Sequence, residues 1–91
     1  MAEIEISAAG EREFEVHVRD GGGETTHRVT VPDRIGDAID PDEHGLEHVV
    51  RESFEFLLER EPASSILPRF SLTDICRYFP EYPDELGRRL G

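Results

Sequence analysis

Apolar residues recur at every second position through Phe14, Val16 and Val18 and again at Val29 and Val31, but at every third or fourth position from Leu46 to Leu58. A period of two is the mark of a half-buried strand, and a period near 3.6 that of an amphipathic helix. The chain changes period once, so its strands come first and its helices after. That order predicts an α+β fold with helices packed on one sheet face. At 91 residues the chain has room for one such unit, and residues 1–91 are read as a single α+β domain.

Three strands are expected, over about 3–8, 12–20 and 24–31. Ile4, Ile6 and Ala8 alternate with polar neighbours in the first, and a turn follows near Ala9-Gly10. The register of the second and third is argued from sidedness. A two-residue loop at Gly22-Gly23 pairs Phe14 with Val31, Val16 with Val29 and Val18 with His27, keeping one face apolar. Two glycines suit the positive φ angles of a type I′ turn. The result is a three-stranded antiparallel meander whose other face carries Glu13, Glu15, His17, Arg19, Arg28 and Thr30. In this register His17 lies opposite Arg28, and His27 is a sheet-edge residue with one hydrogen-bond partner.

Pro32 to Gly36 opens a polar connection with room for a helical turn. One long helix is then expected over about 41–61. Asp40 is placed to cap it, Pro41 fits the first helical position, and Glu43 stands where a capping box needs it. Leu46, Val49, Val50, Phe54, Leu57 and Leu58 form its inner stripe, widened by Phe56, and Glu47, Arg51 and Glu55 its outer one. Pro62 terminates it. A connection from Ala63 to Arg69 leads to two short C-terminal helices, about 72–79 and 83–90. Ser71 is the cap of the first, with Asp74 as its partner and Phe70 stapled on Ile75.

Charge narrows the function classes. Twenty-one acids against ten bases leave −11, and every base is Arg. Residues 1–61 hold 17 acids and 6 Arg, whereas residues 62–91 are balanced. Such a field repels a phosphate backbone, so nucleic acid is disfavoured as a partner. The acidity also suits a high-salt cytoplasm, where carboxylates aid solubility. No apolar run approaches the length of a membrane helix, the acidic N-terminal residues do not read as a signal peptide, and Cys76 stands alone. A cytoplasmic protein without membrane attachment is expected.

No catalytic constellation and no cofactor motif emerges. Gly21-Gly22-Gly23 is no phosphate loop, because that loop needs a Lys and the chain has none. Ser64-Ser65 lack the glycines of a nucleophile elbow. Cys76 falls among Leu72, Ile75 and Phe79 with no His in its segment, which reads as packing. His44 and His48, four apart on the expected helix, are the candidate metal ligands, given a third ligand from elsewhere. Leu72 to Leu90 has the outline of a degenerate helix-turn-helix, but Asp84 and Glu85 stand where such a module meets base edges.

The most distinctive stretch is Phe56-Leu57-Leu58-Glu59-Arg60-Glu61-Pro62, Ile66-Leu67-Pro68-Arg69-Phe70 and Arg77-Tyr78-Phe79-Pro80-Glu81-Tyr82. It resembles small conserved hypothetical proteins of prokaryotes over about residues 56–82, and the resemblance implies no activity. Arg69, Arg77, Tyr78 and Tyr82 lie off the expected apolar stripe, and Arg and Tyr have the composition of a protein-binding hot spot. The alternative is that the tyrosines seal the C-terminal helices onto the main one. The expected function is that of a non-enzymatic accessory or interaction protein. It would meet a protein partner, or a second copy of itself, through this segment or an exposed sheet edge. The alternatives are a metal- or ligand-binding protein using His44 and His48, and an acidic protein that competes with nucleic acid for a basic partner.

Overall fold

The computed structural model describes residues 2–36 and 39–91. Its sheet has four strands in the order β1 (Glu3–Ala8), β2 (Glu13–Asp20), β3 (Gly23–Thr30) and β4 (Arg69–Ser71). The first three form the expected antiparallel meander, but β4 joins β3 in parallel. The sheet is therefore mixed, not a three-stranded meander. Parallel neighbours require a long crossover, and α1 (Leu46–Leu58) supplies it. Three residues, running from just after Pro68 to the helix cap Ser71 itself, are too few to show any alternation, which is why β4 escapes a periodicity argument.

The β2–β3 register differs by two residues from the expected one. Phe14 pairs with Val29, Val16 with His27 and Val18 with Thr25, and the turn sits at Gly21-Gly22 with φ of 58° and 113°. A shift of two preserves sidedness, so the same residues face inward. What it improves is the outer face. Glu15 now lies opposite Arg28 and Arg19 opposite Glu24, two opposite-charge pairs that the other register lacks. His17 lies opposite Thr26 rather than Arg28, and His17 and His27 do point to opposite faces.

The long helix is also shorter than expected. Pro41–Glu43 is a single 3-10 turn capped by Asp40, whose carboxylate accepts from the Asp42 N–H at 3.0 Å. Gly45 then adopts φ 88°, a conformation incompatible with a continuing helix, and α1 starts only at Leu46. Beyond Leu58, the Pro62 ring excludes a helical Glu61 geometry, and a 3-10 turn over Ala63–Ser65 reverses the chain. The connection after Pro32 is less polar than it reads. Ile35 and Ile39 are buried and bridge one another, the Ile35 N–H donating to the Ile39 carbonyl at 3.0 Å.

Inside lie Phe14, Val16, Val18, Val29 and Val31 from the sheet, packed against Val49, Val50, Phe54 and Leu57 of α1. Ile4 and Ile6 are half-buried, while Glu3, Glu5, Glu15 and Thr30 are exposed on the opposite face. The helices thus cover one sheet face, as the strand-then-helix order predicts. Arg51, assigned to the outer stripe of the helix, is half-buried and donates to the Ile4 carbonyl at 3.1 Å, tying α1 to the edge strand. Among the described residues no helix is long and apolar enough to cross a membrane.

The C-terminal third begins with the predicted capping box. The Asp74 carboxylate accepts from the Ser71 N–H at 3.0 Å, and the Ser71 hydroxyl accepts from the Thr73 N–H at 3.3 Å. The box opens a 3-10 turn over Leu72–Asp74, and the α-helix proper is only α2 (Ile75–Tyr78). The last helix, α3 (Tyr82–Leu90), begins one residue before the expected start and buries Tyr82 and Leu86.

Candidate functional site

A shallow apolar groove opens where the end of α1, the return loop, β4 and α2 meet. It encloses about 310 Å³, part of it open to solvent, and its floor is Leu57, Ile66, Phe70 and Ile75. Leu67 and Tyr78 form its rims, with Phe79 beside Tyr78 and the carboxylates of Glu61 and Asp74 in the walls. Leu67 is 47% exposed and Tyr78 67%, and among the described residues these are the large hydrophobic side chains left in solvent. An isolated exposed apolar side chain is ordinary, but two flanking one apolar depression form a patch.

Local structure explains why Leu67 faces outward. Ile66 is buried, and a proline follows Leu67, so the backbone is extended and successive side chains point oppositely. The loop is then fixed from beneath. His27 is 2% exposed, and its Nδ1 donates to the Leu67 carbonyl at 2.8 Å. A carbonyl oxygen can only accept, so Nδ1 carries the proton; in the neutral ring Nε2 accepts from the Thr25 hydroxyl at 2.8 Å. The Arg28 N–H donates to the Pro68 carbonyl at 2.8 Å, so consecutive residues of the loop are both pinned to β3. His27 also lies 5.4 Å from the Phe54 ring, and Phe54 lies 5.9 Å from Phe70 in the groove floor. His27 is thus neither at the sheet edge nor singly bonded, as the sequence suggested. It is a core residue that positions one rim.

The Tyr78 part of the lining is held through aromatic contacts. Phe79 meets Phe56 edge-on at 5.8 Å and 83°, and Arg60 lies 3.7 Å over the same Phe56 ring. A helix as short as α2 has little stability of its own. Leu72 and Ile75 bury its inner side, and the capping box fixes its start. Tyr78, its last residue, is left at the groove mouth.

The four residues expected to form an interaction surface do not stay together. Tyr78 lines the groove. Arg77 is exposed on α2 but does not line it. Arg69 is paired across from Arg28 on the solvated face of the sheet, because Phe70 takes the inward position. Tyr82 is fully buried and belongs to no surface. Its ring lies 5.2 Å from Phe56, and its hydroxyl donates to Ser53 Oγ at 2.6 Å, since Ser53 gives its own proton to the Val49 carbonyl at 2.7 Å. Burial drives the Tyr82 phenol pKa well above its ordinary value, so it stays neutral. Tyr82 therefore seals α3 onto α1, the alternative role foreseen for the tyrosines.

The expected metal pair loses its geometry. His44 closes the 3-10 turn, Gly45 breaks the chain direction, and His48 lies in α1, so the two are not stacked on successive turns of one helix. Both are exposed. Among the described residues no three His, Cys, Asp or Glu side chains gather as a metal would need. Cys76 is half-buried, and burial pushes its thiol pKa up, away from the reactive thiolate.

No family model, curated protein or solved structure matches this chain.

Two residues important to the groove were given other roles in the sequence. Leu67 was read as connection, although the Ile66-Leu67-Pro68 order already implied one side chain in and the next out. His27 shares parity with Val29 and Val31, and that parity was the available signal for its burial.

Proposed function

We propose that this chain is a non-enzymatic protein-interaction domain that receives a partner in the groove between the end of α1, β4 and α2. The observation that carries this reading is that Leu67 and Tyr78, both exposed, line one apolar depression. A Tyr beside an apolar pocket is the kind of residue that dominates binding energy in interfaces. Support also comes from how firmly the rims are built, since a pre-organised site loses less entropy on binding. A lone half-buried cysteine accords with work in the cytoplasm.

Photo-crosslinking tests the proposal. A benzophenone side chain placed at position 78 in cells should give discrete protein adducts. The same probe at Thr26, on the solvated sheet face, should give none of them. Identical adducts from both positions, or none from position 78, would remove the groove as a docking site.

A further inference from the structure

The groove's charged lining has a single sign. Glu61 and Asp74 contribute carboxylates, and among the described residues no cationic side chain lines it. Asp74 has one oxygen engaged by the Ser71 N–H. Glu61 is half-buried, and its carboxylate has no ion pair or side-chain hydrogen bond among the described residues. Glu15, Glu24, Glu59, Glu81 and Asp42 each lie against an arginine. Glu11, Asp20, Glu43 and Glu47 have no such partner among the described residues, but they are exposed, whereas Glu61 is half-buried beside apolar surface.

A partner that fills the groove must strip water from Glu61. Burying a carboxylate without a counter-charge is strongly unfavourable, so the occupant has to bring one. We propose that the groove takes a basic-flanked apolar segment of another protein. One large aliphatic or aromatic side chain sits between Leu67 and Tyr78, and an adjacent Lys or Arg pairs with Glu61 and Asp74. This inference rests on the docking reading above. The charge of −11 on the whole chain adds long-range attraction for such a segment. The same charge opposes a second copy, whose mouth-to-mouth approach would bring two Glu61 carboxylates together.

Selection from a random dodecapeptide library displayed on phage, against the full chain, tests the proposal. Binders that fail to bind Tyr78→Ala are retained as groove-dependent. These should be enriched in a Leu, Phe, Ile or Met adjacent to Lys or Arg. Glu61→Gln should weaken them about fivefold, as expected for a partly exposed ion pair. Glu47→Gln, which removes one charge from an exposed position elsewhere on α1, should leave them unchanged. Molar KCl should weaken the wild-type complex and leave the Glu61→Gln complex less affected. Groove-dependent binders without basic enrichment, or insensitive to Glu61→Gln, would overturn the basic segment while docking itself stands. Recovery of no groove-dependent binder would overturn both. A concentration-dependent dimer abolished by Tyr78→Ala would assign the groove to a second copy and also overturn the proposal.

Discussion

The outer face of the sheet and the groove at the end of α1 are both surfaces, yet they treat their side chains in opposite ways. On the sheet face Arg19 is surrounded by Glu3, Glu5 and Glu24, at 3.7, 3.5 and 2.9 Å, and Arg28 lies 3.4 Å from Glu15. Most of the charges there answer one another, although Arg69 lies across from Arg28 and neither Glu13 nor Asp20 has an ion pair among the described residues. A strand edge bearing Glu3 and Glu5 discourages pairing with a further chain. In the groove, Leu67 and Tyr78 face solvent and Glu61 faces no cation. The strand region pairs much of its charge internally, whereas the return loop and α2 leave both apolar area and the Glu61 charge to be met from outside. A net charge of −11 therefore says less about binding than where the charges remain unanswered.

The largest effect that would break this contrast is loss of the groove floor. Phe70→Ala removes a buried ring tilted against Phe54 and should destabilise the fold by about 3–5 kcal/mol, read as a large fall in Tm. A loss under about 1 kcal/mol would mean that β4 is not anchored to the core. Next comes the support of the rim. His27→Ala leaves the Leu67 carbonyl and the Thr25 hydroxyl without their ring partner and should cost about 1–3 kcal/mol. Hydrogen exchange should rise at Ile66 to Phe70 more than in β1.

Smaller still are the exposed positions, and they sharpen the comparison directly. Tyr78→Ala and Arg19→Ala should each shift stability by about 0.5 kcal/mol or less, since neither lies in the core. Binding should separate them: Tyr78→Ala is expected to lose about 2 kcal/mol of affinity for a groove-dependent peptide, and Arg19→Ala none. Equal losses in calorimetric titration would erase the distinction between the two surfaces.

The smallest effects lie in pH dependence along α1. Glu59 accepts from Arg89 at 2.7 Å, which holds its carboxyl below the ordinary glutamate range. Its stabilisation is present above the ordinary glutamate value and is lost as pH falls through the lowered one. Glu55 has the opposite sign. Partial burial of the carboxyl on an otherwise exposed side chain, then the neighbouring Glu52, push it up. The folded state holds that proton more tightly, so this contribution is present below the ordinary value and is lost as pH rises through the raised one. Glu59→Gln should accordingly lower Tm at neutral pH and Glu55→Gln raise it slightly. The difference should close as both carboxyls protonate, and thermal melts across the acid range would show whether it does.

Much of the fold was legible because it rests on local rules. The alternation through Phe14, Val16 and Val18 places the inward face in either hairpin register, since a two-residue shift cannot invert it. The Ser71–Asp74 capping box and the buried stripe Val49, Val50, Phe54 and Leu57 follow from spacing alone. The site was legible only in part. Tyr78 was named, but Tyr82 and Arg69 were grouped with it, because a short segment cannot reveal which neighbour its residues will meet.

The sequence by itself therefore determined the order of strands and helices, the sidedness of the β2–β3 hairpin and the inner stripe of α1. Tertiary structure decided the rest. Gly45 at φ 88° separated His44 from His48, the charge pairs across the outer face selected the hairpin register, and Ser53 drew Tyr82 inward. The fourth strand exists because α1 returns Phe70 to lie beside Val29, where His27 and Arg28 can hold Leu67 and Pro68. The last two depend on partners tens of residues apart. Periodicity records which way a side chain points, and only the closed fold fixes what it points at.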